Sequence, residues 1–371
     1  MLEGVRVVSL EQAVAAPLCS RRLALAGAEV VKVERPEGDF ARYYDTAVAG
    51  QSAYFVWLNA GKKSVVLDLA DEDDKILLLR LIGRADVFIQ NLKPGALAKL
   101  GIDLERLHEQ HAGLISVSIS GFHPDGPGAG RKAYDLLMQA ESGLADITGA
   151  PAEPGRVGVS VVDLSTGMFA YEAVLEALLA RTASGEGARI NVSLFDSVAE
   201  WLAVPYLLDK YADAAPARVG LAHPGICPYG VFTSADAKRF VLSVQNEAEW
   251  RRLCTLGLNR PDMLDDSRCL DNETRVAHRD FVDGVLQDVF ATQTYDVVDA
   301  NLAAADLAYA PLNPVTALKD HADFHTQSIL VNDQPVALPR VPGLHKPDQL
   351  KVPQLGEHTD EIRDWLEFGS D

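Results

Sequence analysis

The first third of the chain alternates short β-branched runs with stretches of helical periodicity. Val5–Leu10 reads as a strand, and Glu29–Glu34, holding Val30, Val31 and Val33, as a second. Val65–Leu69, Asp86–Gln90 and Leu114–Ile119 supply three more. A helix over Pro17–Gly27 joins the first two, with proline in its opening turn and glycine at its end. Asp71–Ile82 is a second helix: Leu78, Leu81 and Ile82 share one side, and Gly83 follows the last apolar position. Continuous apolar strands separated by helices specify a parallel sheet covered on both faces, an α/β fold.

Residues 122–132 and 149–158 are Gly/Pro-rich loops on either side of a helix over Tyr134–Leu144. A strand over Val159–Val162 then leads into a long helix, Ser165–Ala183. This helix carries Met168, Tyr171, Val174, Leu175, Leu178 and Leu179 at helical spacing and stops before Gly185. Arg189–Leu194 is a further strand. Beyond residue 200 the texture changes: 216–245 reads as strands and turns, 247–310 as charged helices. The pattern divides the chain into a large domain over 1–200, a smaller α+β domain over 215–315 and a tail over 320–371. The tail ends in a helix, Glu357–Phe368.

Composition adds boundaries. With 371 residues the chain is long enough for two domains, and its 48% hydrophobic and 23% charged content is that of a soluble globular protein. A net charge of -19 without a basic stripe excludes a nucleic-acid binder and argues against an anionic membrane surface. A phosphorylated ligand would then need local cations. Three clusters offer them: Gly61-Lys62-Lys63-Ser64, Lys93 with Lys99 around Pro94-Gly95, and Arg131-Lys132. Cys19, Cys227, Cys254 and Cys269 form neither a CxxC pair nor a metal spacing, as expected of a reduced, cytoplasmic protein. The start of the chain has no signal-peptide pattern, and no apolar run reaches the length of a membrane span.

The turn after the first strand, Glu11-Gln12-Ala13-Val14-Ala15-Ala16-Pro17, lacks the glycines of a dinucleotide site, so NAD is not expected. Gly126–Lys132 lacks Walker spacing. The histidines show no metal pattern, and no serine lies in a G-x-S-x-G elbow. Asp163, in Val161-Val-Asp-Leu-Ser-Thr-Gly167, stands between the expected strand and the long helix. A helix cap alone accounts for an aspartate there. The same helix N-terminus would hold the carboxylate ionised, and such a carboxylate is competent for covalent catalysis at an acyl carbon.

Six segments together carry a resemblance. They are Ala15–Ser20 followed by Leu25–Arg35, Asn59–Asp68, Gln90-Asn-Leu-Lys-Pro-Gly-Ala-Leu-Ala-Lys-Leu-Gly101, Ser118–Phe122, Ala133-Tyr-Asp-Leu-Leu-Met-Gln-Ala-Glu-Ser-Gly143 and Leu355–Glu361. In this order the sequence resembles the CaiB/BaiF group, the family III CoA-transferases, which includes formyl-CoA transferase, carnitine CoA-transferase and α-methylacyl-CoA racemase. The resemblance implies a large Rossmann-like domain built from both ends of the chain, a small middle domain, and two subunits interlocked like linked rings. It implies coenzyme A as substrate, with no metal and no NAD, and Asp163 as nucleophile. Contacts to CoA would fall on Val14, Ala15, Arg35, Leu67, Asn91, Leu92, Lys93, Ala96, Lys99, Lys132, Ala133, Tyr134 and Leu194.

Two departures narrow the implied activity. Racemases of the group carry histidine where this chain has Tyr134, and tyrosine is a poor base at neutral pH, which favours CoA transfer over racemisation. Formyl-CoA transferases carry glutamine at the place of Val14 and a glycine-rich loop where this chain has His223–Gly230. The expected acid is therefore another small dicarboxylate, met by Arg218, His223 and Tyr229, unless these merely pack a domain interface. A racemase, or a silent CoA-binding protein on the same fold, are the alternatives.

Overall fold

The computed structural model describes residues 1–343 and 350–368. Six parallel strands form its central sheet: β1 (Arg6–Leu10), β2 (Glu29–Glu34), β3 (Lys63–Val66), β4 (Val87–Gln90), β5 (Ile115–Ser120) and β6 (Arg189–Ser193). Their spatial order is β3-β2-β1-β4-β5-β6, so the winding reverses between β1 and β4. Alternate residues point to opposite faces. Val7, Val87, Ile89 and Val117 meet α1 (Ala15–Ala26) on one face, with Val162, Ala170 and Val174 of a long helix over Val161–Ser184. Val8, Val31 and Phe88 meet Leu78, Leu81 and Ile82 of the helix Glu72–Gly83 on the other, together with Ile362 and Leu366 of Thr359–Phe368.

The chain forms two compact units. One comprises residues 1–144, 157–204 and the described residues from 325 onward; the other comprises 145–156 and 205–324. In the first unit α2 (Ala53–Asn59) packs Phe55 and Val56 against Ile329, Val331 and Leu338 of a small C-terminal sheet. The second unit holds a three-stranded antiparallel sheet, Tyr229–Thr233, Arg239–Ser243 and Ala308–Pro311. Phe232, Phe240 and Phe290 fill its core, the latter two edge to face at 5.1 Å. Sequence analysis assigned 145–156 to the large domain; they group with the second unit, where Arg218 bonds to Asp146 and Ala150.

Several boundaries differ from expectation. The third strand begins earlier and ends at Val66, because β2 pairs with Lys63–Val66 in register. The helix after Tyr134 is α3 (Asp135–Glu141) and is shorter than expected, since Gly143 turns left-handed at φ 90°. There is no strand over Val159–Val162. The long helix, α4 (Val161–Ser184), begins there instead. Leu194 opens α5 (Leu194–Trp201) rather than closing a strand. The Ala53–Asn59 helix was not anticipated.

The turn between β1 and α1 rests on buried charge. Lys62 Nζ lies 2.6 Å from Glu11 and Lys32 Nζ 2.8 Å from Asp39, and all four side chains are fully buried. Lys32 also approaches Glu11 at 3.6 Å. Burial opposes ionisation of Glu11, but Lys62 and Lys32 outweigh it and hold its carboxyl below the usual range. Asp39 in turn accepts the N–H of Ala13 at 3.2 Å, in a left-handed conformation at φ 65°. One basic cluster is thereby corrected. Lys62 belongs to this network, and Lys63 pairs with Glu29 and Glu361, because both lie on or beside β3 within reach of these carboxylates.

Removing Glu11 would leave two lysines buried without their shared partner. Glu11→Ala is expected to cost about 3–5 kcal/mol, read as a lowered urea midpoint. An unchanged midpoint would show that the network carries no stability.

Candidate active site

The long helix lacks a side-chain cap of its own: Ser160 sits at the N-cap position without bonding to it. The cap comes from α3. Asp135 Oδ1 accepts the N–H of Val162 at 2.8 Å and that of Asp163 at 3.4 Å. Gln139 Nε2 donates to Asp135 Oδ2 at 2.7 Å, and Gln139 Oε1 accepts the N–H of Val157 at 2.9 Å. Asp135 and Gln139 are four apart, on one face of one helix, and both are buried.

Asp163 is therefore in the first turn of α4 rather than at its cap. The expectation that the helix N-terminus holds its carboxylate ionised is corrected, since Asp135 takes those N–H groups. Among the described residues no donor bonds to the half-buried Asp163 carboxylate. Burial, with the Asp135 charge added, pushes its carboxyl up to about 7.

The helix can lie this close to the β1–α1 turn because Gly167 has no side chain. A Cβ there would come within 2.6 Å of the Ala15 carbonyl and 2.9 Å of Leu18 Cβ. Aromatic residues line the neighbouring side. Tyr44 packs edge-on against Tyr54 at 5.7 Å, and Tyr54 against Trp57 at 6.3 Å. The Tyr54 hydroxyl is 3.4 Å from Ser160 Oγ. Ala53, Tyr54, Trp57, Val159, Ser160 and Leu164 border a cavity of about 360 Å³. Burial, then the charges of Asp39 and Asp163, push the Tyr44 phenol up to about 12.

The other expected contacts follow the carboxyl ends of the strands. Val14 and Ala15 come after β1, Arg35 after β2, Leu67 after β3, Asn91, Leu92 and Lys93 after β4, Lys132–Tyr134 after β5, and Leu194 directly after β6. In an open α/β sheet that edge, at the reversal of strand order, is where ligands bind. Asn91 spans the reversal: it accepts the Gln12 N–H at 2.9 Å and donates to the Gln12 carbonyl at 2.8 Å. Leu92 and Lys93, with Gln90, Gly95 and Ala98, border a cavity of about 520 Å³. Ala96 and Lys99 belong to the short helix beside it.

Burial divides these residues. Val14, Ala15, Leu67 and Leu194 are buried, so only their backbone can meet a ligand. Lys93, Lys99, Lys132 and Tyr134 are exposed. Arg131 is engaged by Glu141 through two bonds of 2.6 and 2.7 Å. In the second unit Arg218 bonds to Asp146 Oδ1 at 3.0 Å and to the Ala150 carbonyl at 2.8 Å. The His223 ring stacks on Tyr229 at 5.4 Å. Asp135, Gln139, Tyr44 and Tyr54 had no assigned role in the sequence analysis. The i, i+4 spacing of Asp135 and Gln139 is the one signal from which that pair could be read.

Fold and site define an α/β enzyme built on a parallel sheet, and comparison with known proteins makes the class specific. The CoA-transferase family III profile matches residues 2–359. The chain is 33% identical over 373 residues to an acetyl-CoA:oxalate CoA-transferase of Acetobacter aceti, covering 97% of this chain and 94% of that one. It is 34% identical over 388 residues to a succinate–glutarate CoA-transferase of Agrobacterium fabrum, covering 99% and 96%. A crystal structure of a CaiB/BaiF family protein from Brucella suis is similar at a TM-score of 0.83 and 33% identity, over 98% of this chain and 99% of that one. The chain belongs to CoA-transferase family III and is a CoA-transferase.

The raised Asp163 carboxyl has a consequence for stability. Between the ordinary value of 3.8 and about 7, the unfolded chain releases this proton and the folded chain keeps it. Stability contributed by the neutral form is full below the lower value and is lost as pH rises through the upper one. Asp163→Asn is expected to raise the thermal midpoint at pH 8 by roughly 2–4 °C and to leave it unchanged near pH 4. An equal shift at both pH values, read by differential scanning fluorimetry, would contradict a raised carboxyl.

Proposed function

We propose that the protein moves CoA from an acyl-CoA donor to a small dicarboxylic acid, with Asp163 as covalent nucleophile. The observation that carries this reading is the Asp163 carboxylate: half-buried, without a donor, and in the first turn of a helix packed on the β1–α1 turn. The names of both curated relatives describe transfer to dicarboxylic acids, oxalate in one and the succinate–glutarate pair in the other.

An Asp163 oxygen attacks the thioester carbon of the donor. The C–S bond breaks, CoA leaves as thiolate, and a mixed anhydride remains. The thiolate attacks the aspartyl carbonyl of that anhydride, releasing the donor acid as carboxylate and leaving an aspartyl-CoA thioester. The acceptor carboxylate attacks this thioester and expels CoA, forming a second anhydride. CoA then attacks the acceptor's acyl carbon and restores the Asp163 carboxylate. Each step exchanges one acyl bond for another, so one hard exchange becomes several easier ones.

The backbone at Val14, Ala15, Leu67 and Leu194, and the side chains of Arg35, Asn91, Lys93, Lys99 and Lys132, would hold CoA along the carboxyl edge. Leu92, Ala96, Ala133 and Tyr134 complete that surface. Arg218, His223 and Tyr229 remain the candidates for the acid's distal carboxylate. Arg218 would have to exchange its bonds to Asp146 and Ala150 for that role. The expected assembly is an interlocked homodimer in the cytoplasm. Val204, Leu207, Leu208 and Tyr211 of the Ala203–Ala212 helix are exposed apolar side chains that such a dimer would cover.

A second reading has one observation in its favour. A carboxyl near pH 7 also suits a proton carrier, as a 2-methylacyl-CoA racemase requires.

The test is a pooled assay: succinyl-CoA with a mixture of small mono- and dicarboxylic acids, the CoA esters resolved by mass. A new ester is expected, with turnover reduced at least ~10³-fold in Asp163→Ala. Unchanged turnover in that variant would remove the nucleophile. No new ester, with deuterium entering the α-carbon of a 2-methylacyl-CoA, would establish the racemase instead.

A further inference from the structure

We infer that Asp135 is a positioning residue of this site: its carboxylate occupies the N-terminus of α4 in place of Asp163 and leaves the Asp163 carboxylate without donors. The inference rests on Asp163 being the nucleophile.

A carboxylate in the first turn of a helix ordinarily gains from the free N–H groups there. Here those groups are spent. Val162 N–H donates to Asp135 Oδ1 at 2.8 Å, and the backbone N–H of Asp163 itself points to the same oxygen at 3.4 Å. The other Asp135 oxygen is held by Gln139 at 2.7 Å, so the carboxylate is fixed at both ends. Gln139 is completely buried, and its own oxygen anchors Val157, at the start of the segment that leads into α4. The chain of bonds therefore sets the path of residues 157–163.

The arrangement has a chemical effect beyond support. Two carboxylates share one site, and only one of them is hydrogen-bonded. Ionised Asp163 faces the Asp135 charge without compensation. Once Asp163 is acylated, as anhydride or thioester, its charge is gone and the repulsion with it. Asp135 thus disfavours the resting anion relative to the covalent intermediates, a difference that lowers the barrier to acylation. The other titratable groups around this turn are Tyr134 at the start of α3 and Tyr44 and Tyr54 across the aromatic side. From α1 come Ala15 and Leu18 against Gly167, while Arg22 lies further along, over Tyr171 at 5.0 Å. No lysine or arginine among the described residues pairs with Asp163.

Asp135→Asn separates positioning by charge from plain capping, because asparagine keeps an acceptor for the Val162 N–H and removes the charge. The readout is the pH profile of a single turnover with succinyl-CoA: the rate at which the peptide containing Asp163 gains a covalent CoA or acyl group, followed by mass after an acid quench. Wild type is expected to rise through a midpoint near 7. Asp135→Asn should rise about one pH unit lower. Its limiting rate above that midpoint should fall, as expected of a less basic nucleophile. Asp135→Ser, with a smaller neutral acceptor, should shift the same way and serves if the asparagine variant does not fold. Labelling of Asp163 with an unshifted midpoint in the folded variant would overturn the role of Asp135 and leave the nucleophile standing. No label on wild-type Asp163 would overturn both.

Discussion

Four buried charges underlie the turn from which the rest of the site is built. Glu11, Lys62, Lys32 and Asp39 are all removed from water, and burial of this kind costs more than a hydrophobic replacement unless the geometry is close. What the network provides is position. Lys32 lies on β2, Glu11 directly follows β1, Lys62 directly precedes β3, and Asp39 opens the turn over Phe40–Tyr43. Joining them locks three adjacent strands to one loop. Asp39 then holds the N–H of left-handed Ala13. Val14 and Ala15 are thereby aimed, and the Ala15 carbonyl sets how near α4 can come. Only glycine at 167 permits the approach observed. The place of Asp163 thus depends, through packing, on ion pairs in which it takes no part.

The two treatments of acidic side chains are complementary. Where a carboxylate is structural it is saturated. Glu34, for example, receives two bonds from Arg42 at 2.7 and 2.8 Å and one from Ser64 at 2.6 Å, and Arg42, Lys32 and Ser64 outweigh its burial to bring it down to about 2. Where the carboxylate is the proposed nucleophile it has no donor. Asp135 makes this possible, since an uncapped helix end beside Asp163 would otherwise draw its carboxylate into a cap. The arrangement withholds partners from one side chain while satisfying its neighbour.

The parts of the fold that depend on local period were legible. The strands of the central sheet and the helices Ala15–Ala26 and Glu72–Gly83 follow apolar spacing that needs no distant partner. The start of α4 was not, because its cap lies 28 residues back along the chain. An aspartate at the expected boundary supplied a false local cap. Gly61-Lys62-Lys63 and Lys93-Pro94-Gly95 look alike as basic turns. The partner that buries Lys62 is 51 residues away, so sequence spacing does not separate the two. The role proposed for Asp163 comes from the order of the motifs. Its electrostatic setting was inverted, since Asp135 was visible only as part of a pattern.

The distribution of cations completes the picture. Among the described residues, Lys62, Lys63 and Arg131 are committed to carboxylates, whereas Lys93, Lys99 and Lys132 form no ion pair. Of the described residues, Lys210 and Lys319 form no ion pair either, so what sets these three apart is where they stand. All three belong to loops or a short helix that follow β4 and β5, at the carboxyl edge of the sheet. The acidic surface repels polyanions in general. An anion that reaches this edge meets cations whose charge is not already spent, and its phosphates can be held without drawing a lysine away from a structural partner. On the proposed reading, binding there would leave the buried pairs beneath the first turn intact, so that capture of the phosphorylated end and alignment of Asp163 would draw on separate sets of charges.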